Sequence, residues 1–284
     1  MNIQWYPGHM TKTRRQMEAD LKLVDIVAEL IDARVPVSSR NPDIDAICSG
    51  KPRLIVLNRS DQADPARNKS WTAHFKAQGW SVLETDARSG QGVGQFSSAA
   101  RGALREQIAK WREKGQVGRP VRAMVVGIPN VGKSTFINTY AGRACAKTGN
   151  KPGVTKGKQW IRLNKSVELL DTPGILWPKF EDQRVGLSLA LIGSIKDEII
   201  NTEELSLELI KILLKKYPGV LAQRYHVEEV EDALKVLTFI GENRNCRSRG
   251  NELDYGKAAK LLMDEFRGGK LGRITLEEPE EKGV

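Results

Sequence analysis

The segment GIPNVGKS at residues 127–134 constrains the fold of this 284-residue chain more than any other feature. It fits the pattern G-x-x-x-x-G-K-[ST] and lies between an apolar run at 121–127, typical of a buried strand, and the predicted start of a helix at Lys133. Gly127 and Gly132 allow the backbone N–H groups to turn toward phosphate oxygens, and a helix N-terminus adds positive potential. The segment therefore predicts a phosphate-binding loop in an α/β protein.

Two side chains of this loop predict how it would hold a nucleotide with magnesium. Lys133 is expected to reach the β- and γ-phosphates, because the pattern places its ammonium group at the mouth of the loop. The hydroxyl of Ser134 is expected to ligate Mg²⁺. A chance glycine-rich turn containing a lysine is the disfavoured alternative.

A second short motif, DTPG at 171–174, closes the predicted strand 167–171. A carboxylate at that strand end, Asp171, is placed to hold Mg²⁺, and the N–H of Gly174 is placed to meet the γ-phosphate. Thr155, which lies between the two motifs, is a candidate Mg²⁺ ligand and γ-phosphate sensor on its position alone. Together the two motifs predict hydrolysis of a nucleoside triphosphate.

Guanine selection requires an acidic side chain for the N1–H and N2–H₂ of the base and an amide near N7. The motif NRSD at 58–61, directly after an apolar run, offers Asn58 and Asp61 for these roles. The usual form is N-K-x-D, and Arg59 replaces the lysine whose stem covers the base. Because arginine also stacks flat on a base, guanine preference is expected to survive the replacement.

A further element, ETDA at 84–87, ends the next predicted strand. The N–H of Ala87 is expected to reach guanine O6, although the element departs from the commoner S-A-K pattern at Asp86. The full set of predicted nucleotide contacts is Asn58, Arg59, Ser60, Asp61, Asp86, Ala87, Asn130, Val131, Gly132, Lys133, Ser134, Thr135 and Gly174.

Strand and helix patterns alternate through the first part of the chain, which predicts a mainly parallel sheet with helices on both faces. Apolar strand patterns occur at 24–32, 53–58, 81–85, 121–127, 158–163 and 167–171. Helical patterns occur at 11–22, 43–49, 65–78, 94–114 and from Lys133 onward.

The character of the sequence changes after about residue 178. Helical spacing of apolar residues recurs at 204–217, 230–242 and 255–269, and a charged tail from about 275 is expected to be frayed. We therefore predict a nucleotide-binding domain at 1–177 and a helical C-terminal domain at 178–284. Residues 1–177 carry 28 Lys+Arg against 15 Asp+Glu, so that the basic surface lies mostly in the first domain.

The motifs occur in an unusual order: NRSD, TDA, the phosphate-binding loop, Thr155 and DTPG. An ordinary small GTPase begins with the phosphate-binding loop and ends with the guanine-recognising pair. In this order the chain resembles the circularly permuted GTPases, specifically the ribosome-biogenesis RbgA/YlqF-like family. The resemblance includes WYPGHM at 5–10, DARVPVSSRNP at 32–42 and the helical C-terminal part, and so covers nearly the whole length.

The resemblance implies a P-loop GTPase fold with a circularly permuted, mainly parallel sheet flanked by helices, plus a small all-helical C-terminal domain. A permutation costs little when the original chain ends lie close together on the surface. Its consequence is that DTPG leads directly into the helical domain, so that movement of this segment can be passed on by the backbone.

The resemblance also implies how hydrolysis is assisted. Ile175 follows DTPG where Ras-like enzymes have a water-positioning glutamine, so the isolated site is expected to be slow. Asn130 matches an asparagine associated with potassium binding in related GTPases, and His9 matches a histidine implicated in activated hydrolysis. From the residues alone, a hydrogen-bonded surface histidine is the favoured interpretation of His9, and the resemblance brings the catalytic interpretation level with it. His9, Lys133 and Thr155 are the residues assigned to hydrolysis, with stimulation by K⁺ and a large partner.

The partner implied by the resemblance is the large ribosomal subunit late in its assembly. The charge pattern independently favours RNA, because residues 143–165 contain seven basic residues and no acidic one. Since this stretch includes Thr155, we expect it to contact rRNA in a nucleotide-dependent way. The alternative, that its lysines only neutralise GTP phosphates, stays open.

Three other functions remain as alternatives. Ile175 leaves room for a nucleotide-gated RNA-binding scaffold in which hydrolysis is incidental. A GTPase acting on tRNA modification or on a membrane partner is disfavoured, because no additional segment for either appears. An ATPase is least favoured, because NRSD would then have no role.

Cysteine content and hydropathy predict the compartment. The three cysteines are widely spaced, which fits a reducing environment better than a disulfide framework. The N-terminus shows no apolar signal region, and no apolar run approaches the roughly 20 residues of a membrane helix. We therefore predict a cytoplasmic monomer with GTP or GDP and Mg²⁺ as cofactors and no DNA or membrane partner, and the resemblance implies K⁺ as a further cofactor.

Overall fold

The alternation of strands and helices predicted from the sequence is present in the structure, a computed structural model. It forms two compact units, which are described separately below. The structure describes residues 10–142, 159–162, 166–172, 182–195 and 200–279.

The first unit is built on a six-stranded sheet in the described part of the chain, with spatial order β3-β2-β1-β4-β6-β5. All neighbouring strands pair in parallel except β5 and β6, which are antiparallel. The strands are β1 (Ile26–Asp32), β2 (Arg53–Asn58), β3 (Ser81–Thr85), β4 (Val121–Val126), β5 (Gln159–Arg162) and β6 (Val167–Asp171).

The central strands are buried because helices cover both faces of the sheet. Every residue of β1, β2 and β6 is buried, as expected for parallel strands inside an α/β layer. The helices of this unit are α1 (Met10–Leu21), α2 (Asp43–Ile47), α3 (Pro65–Ala77), α4 (Phe96–Ala103), α5 (Arg105–Glu113) and α6 (Lys133–Ala141).

Two apolar clusters show how the helices pack on the strands. Met17 and Leu21 of α1 pack with Met124 and Leu170 of the sheet. Trp71 and Phe75 of α3 pack in a separate cluster with residues of β1 and β2. The predicted mainly parallel sheet with flanking helices is confirmed.

One predicted helix is divided in the structure. The pattern at 94–114 predicts a single helix, but a 3₁₀ turn and the helices α4 and α5 are found there. The break lies at Leu104, whose backbone is not helical (φ −107°, ψ 19°) and whose N–H bonds to Arg101 O. Gly102 lowers the helix propensity locally, while Leu104 itself is buried.

The second unit is helical, and three of its helices correspond to predicted ones. Its helices are α7 (Gln183–Leu191), α8 (Thr202–Lys216), α9 (Val220–Tyr225), α10 (Ala233–Asn243) and α11 (Tyr255–Arg267). The short helices α7 and α9 are additional to the prediction. The guanidinium of Arg224 in α9 pairs with both carboxylate oxygens of Glu265 in α11, which fixes these two helices together.

The chain returns to the first unit after the helical one. Among the described residues, the first unit contains 10–172 and 277–279, and the second contains 182–276. Glu278 forms an ion pair with Arg67 of α3. The frayed tail expected from about 275 stays a prediction, and its residues 280–284 lie outside the described residues. The predicted domain boundary at 177 stays a prediction. No helix within the described residues has the length and hydropathy needed to cross a membrane.

Candidate nucleotide-binding site

The predicted site residues that the structure describes meet at one edge of the sheet. The parallel register pairs Asp32 with Asn58 and Asn58 with Thr85, at the carboxyl ends of β1, β2 and β3. On the other side of β4, Val125 pairs with Asp171. The sheet continues in opposite directions from β1 and β4, and ligands of open α/β sheets bind at such a switch point.

The phosphate-binding loop between β4 and α6 requires glycine at two positions. A Cβ at Gly127 would lie 2.7 Å from the carbonyl oxygen of Leu30. Gly132 has φ +93°, and a Cβ there would overlap the amide of Asn58. Asn130 also has a left-handed backbone (φ +65°), which asparagine tolerates better than most residues. The loop is therefore shaped by backbone geometry that the pattern predicted.

Asn58 connects the loops of the site to one another. Its Nδ2 donates to Val131 O at 2.7 Å, and its Oδ1 accepts from Ala87 N at 3.0 Å and from Thr85 Oγ1 at 3.2 Å. The Ala87 N–H thus donates to Asn58, and its expected contact with guanine O6 stays a prediction. Asn58 thus joins the NRSD, TDA and phosphate-binding segments.

Asp61 is the exposed carboxylate of the NRSD segment, whereas Asp86 of the TDA segment is buried. Asp86 accepts from the backbone N–H groups of Arg88 and Ser89 and so holds its own loop. Partial burial and the negative charge of Asp86 raise the pKa of Asp61 above its ordinary value. Asp61 is therefore the carboxylate that can accept hydrogen bonds from a base, whereas the carboxylate of Asp86 accepts hydrogen bonds from its own loop.

Arg59 lies between the guanine-recognising and phosphate-binding segments. It adopts a left-handed backbone (φ +59°), and its guanidinium donates to Asn130 O at 2.9 Å. Its Nε is 3.6 Å from the carboxylate of Asp32. Arginine spans this distance with several donors, which a lysine ammonium does not.

Asp32 and Arg34 are site residues that motif spacing did not assign. Asp32 is completely buried and accepts two hydrogen bonds from the Arg34 guanidinium and one from the Arg34 N–H. Burial acts to raise the pKa of Asp32, but the guanidinium contacts outweigh it and lower that pKa. The segment 32–42 was quoted for its family resemblance, and an Asp-x-Arg directly after a buried strand was the available signal.

Lys133 and Asp171 form a buried ion pair at the start of α6. The Lys133 ammonium donates to Asp171 Oδ1, and both residues are buried. Burial lowers the pKa of Lys133, and the carboxylate opposes that change. Thr172 is held next to the pair, because its hydroxyl donates to Val125 O at 2.8 Å.

The residues present fit a magnesium ion bound together with phosphate. Mg²⁺ prefers carboxylate and hydroxyl oxygens together with phosphate oxygens, and Asp171 and Ser134 supply the first two kinds. Asp171 Oδ1 already binds a cationic group, the Lys133 ammonium. The predicted residues His9, Thr155 and Gly174 lie outside the described residues.

Fold and site together define a P-loop GTPase in which the guanine-recognising segments precede the phosphate-binding loop. Ribosome biogenesis GTPase A of Bacillus cereus is 50% identical to this chain over 284 residues, covering 100% of the chain and 96% of the relative. The chain belongs to the ribosome biogenesis GTPase A family.

Other comparisons agree with this membership. The protein of the same name from Thermotoga maritima is 33% identical over 279 residues, covering 98% of this chain and 95% of the relative. The crystal structure of GNP-bound YlqF from T. maritima matches with a TM-score of 0.63 and 29% identity, covering 95% of this chain and 99% of that one. A family model described as a 50S ribosome-binding GTPase matches residues 122–239. The predicted resemblance, fold class and GTPase activity are confirmed.

Proposed function

We propose that the protein is a GTP-hydrolysing assembly factor for the large ribosomal subunit that binds rRNA in a nucleotide-dependent way. The observation that carries the proposal is the full-length similarity to a relative named ribosome biogenesis GTPase A. The family model described as 50S ribosome-binding supports the large subunit as partner. The seven basic residues within 143–165 supply charge for RNA phosphates. The protein acts as a monomer in the cytoplasm.

Nucleotide binding exchanges one ion pair for two. In the structure, Lys133 and Asp171 neutralise each other. In the proposed complex the phosphates take the positive charge of Lys133, while Asp171 and Ser134 hold Mg²⁺. The bound ion would neutralise phosphate charge during transfer. The contact between Lys133 and Asp171 therefore neutralises two buried charges that the phosphates and Mg²⁺ would neutralise in the complex.

Base recognition is assigned to the NRSD segment. The exposed carboxylate of Asp61 accepts the N1–H and N2–H₂ of guanine, while Arg59 covers the base plane. Asn58 contributes by fixing the loops, since its side chain already forms hydrogen bonds with Thr85, Ala87 and Val131. Guanine specificity is thus proposed to depend mainly on Asp61.

Hydrolysis is proposed to be slow in the isolated protein and faster on the ribosome. Ile175 has no polar group with which to orient an attacking water. We assign the missing functions to His9, to Thr155 and to a K⁺ ion held by Asn130, whose positive charge would stabilise charge developing on the phosphates.

One experiment tests binding and turnover together. Purified protein is sedimented with large ribosomal subunits in the presence of a non-hydrolysable GTP analogue or GDP, and GTP turnover is measured with and without subunits in K⁺ or Na⁺ buffers. We expect tighter co-sedimentation with the GTP analogue, and turnover stimulated by subunits and by K⁺. Turnover of about 10 s⁻¹ without either, within the range of efficient enzymes, would contradict the proposal. Nucleotide-dependent binding without stimulation would indicate a scaffold with incidental hydrolysis.

Charge reversal in the basic stretch should separate RNA binding from nucleotide binding. Replacing Lys151, Lys156 and Lys158 by glutamate is expected to weaken subunit binding by about 10- to 100-fold, because several phosphate contacts are lost. GTP affinity is expected to change by less than about threefold, because Lys133 and Asp61 are untouched. Both affinities are measured at one fixed salt concentration.

In the matched control, glutamate replaces three exposed basic residues: Arg105 and Lys110 of α5, and Lys114, which directly follows that helix. This control changes net charge equally at a distance in sequence from the basic stretch. Equal loss of subunit binding in both triple variants would show a general charge effect and reject the assigned surface.

A further inference from the structure

Glu277, the residue at which the chain re-enters the first unit, forms hydrogen bonds with two other segments of that unit. Its carboxylate accepts from Val37 N at 2.7 Å and from Ser38 N at 3.2 Å. Its backbone carbonyl accepts from Trp71 Nε1 at 3.3 Å. Because Trp71 is buried against β1 and β2, this hydrogen bond connects Glu277 to the apolar core beside the sheet.

The Glu277 carboxylate is bound by a tight turn in which two backbone N–H groups act as donors. Val35 N bonds to Asp32 O and Ser39 N bonds to Val35 O at 2.9 Å. The N–H groups of Val37 and Ser38 lie inside this turn and donate to Glu277 instead. As at the first turn of a helix, such N–H groups favour a negative charge.

The inner side of the same turn leads to the nucleotide site. Ser39 Oγ accepts from the N–H of Asp32 at 2.9 Å, and both residues are buried. The Asp32 carboxylate lies 3.6 Å from Arg59 Nε. Arg59 in turn donates to Asn130 O in the phosphate-binding loop at 2.9 Å. Every contact of this path lies within the first unit.

We propose that Glu277 is a positioning residue for the nucleotide site. By fixing the turn that carries Ser39, it holds Asp32 at the place from which Asp32 orients Arg59 against the phosphate-binding loop. When the carboxylate is absent, the turn relaxes, Arg59 holds Asn130 less firmly, and bound nucleotide leaves faster. The inference rests on the proposed function only in taking residues 127–134 as the phosphate-binding loop, and it does not depend on a ribosomal partner.

The adjacent acidic residue provides a matched control. Glu278 pairs with Arg67, and both side chains of this pair are largely exposed (47% and 37%), where such a contact contributes little. Dissociation of fluorescent GDP is measured by displacement with excess unlabelled GDP. Glu277→Ala is expected to accelerate dissociation about threefold to tenfold, which lies within the range found for coupling through packed contacts. Glu277→Gln should lie between Glu277→Ala and the unchanged protein, and Glu278→Ala should match the unchanged protein.

The route through Arg59 is tested by a double-variant cycle. In an Arg59→Met background the effect of Glu277→Ala should shrink to less than about twofold, because the last link is already lost. An undiminished effect in that background would overturn the proposal, as would equal acceleration by Glu277→Ala and Glu278→Ala. Thermal unfolding without nucleotide completes the test. If Glu277→Ala and Glu277→Gln lower the melting temperature but leave GDP dissociation unchanged, Glu277 has a structural role only, and the proposal is overturned. These measurements concern only GDP dissociation and unfolding. A failure of the proposed ribosome binding would therefore not change them, so the positioning role of Glu277 and the proposed function can fail separately.

Discussion

Replacing Lys133 by alanine is expected to remove GTP binding and to destabilise the nucleotide-free protein at the same time. Binding should weaken at least about 100-fold, because charge-assisted bonds to phosphate contribute about 1.5–3 kcal/mol each. Asp171 would be left buried without its cationic partner, which costs about 3–5 kcal/mol in typical buried pairs. Equilibrium binding and urea unfolding measure the two effects.

The double variant Lys133→Met with Asp171→Asn distinguishes the two causes. It removes both charges, so most of the lost unfolding free energy should return while GTP binding stays absent. Lys110→Ala on the exposed face of α5 serves as a lysine control with no expected change. Nearly full GTP affinity in Lys133→Ala would refute the assignment of residues 127–134 as the phosphate-binding loop.

Replacing Asp61 by asparagine should produce the second large effect, a loss of guanine recognition. The N1–H and N2–H₂ groups of guanine lose their anionic acceptor in this variant. The loss of these two hydrogen bonds should lower GTP affinity by about two orders of magnitude or more. Xanthosine triphosphate is the informative control ligand, because it carries a carbonyl group where guanine has its amino group. An asparagine amide can donate to that carbonyl, so the preference should move toward xanthine. Competition binding with GTP, ATP and xanthosine triphosphate measures it.

The pH dependence gives an independent check on Asp61. Its pKa lies above the ordinary aspartate value because of partial burial and the nearby Asp86. GTP affinity of the unchanged protein should therefore be constant near neutral pH and fall as the pH decreases through that raised pKa. The Asp61→Asn variant should lack this decrease. A decrease of equal size in both proteins would assign it to another group.

The sheet and the phosphate-binding loop could be predicted because both depend on local patterns. Apolar runs ended by turn residues located the strands, and glycine spacing located the loop. The division of 94–114 was missed, because an amphipathic pattern does not show that Leu104 leaves helical geometry to enter the core. The short helices α7 and α9 were missed for a similar reason, since nine or six residues carry too little periodicity.

The candidate site was predicted as a set of residues, but several contacts within it were not. The hydrogen bond from the Ala87 N–H to Asn58 was not predicted; it forms because the parallel register brings the ends of β2 and β3 to the same edge. Spacing along the chain does not encode that register. The buried pair of Asp32 and Arg34 was also not assigned, although an Asp-x-Arg directly after a buried strand was an available signal.

The sequence by itself determined the class of protein, since residue types at fixed spacing specify a phosphate-binding loop and a guanine-recognising segment wherever they occur in the chain. Their permuted order also indicated the family. Only the tertiary structure decided how the segments are held together, because these contacts join residues far apart in sequence. Asn58 reaches Val131 and Ala87, Arg59 bridges Asp32 and Asn130, and Glu277 returns to the turn after β1. Hydrogen bonds and buried charges depend on distances in space, and folding alone sets those distances.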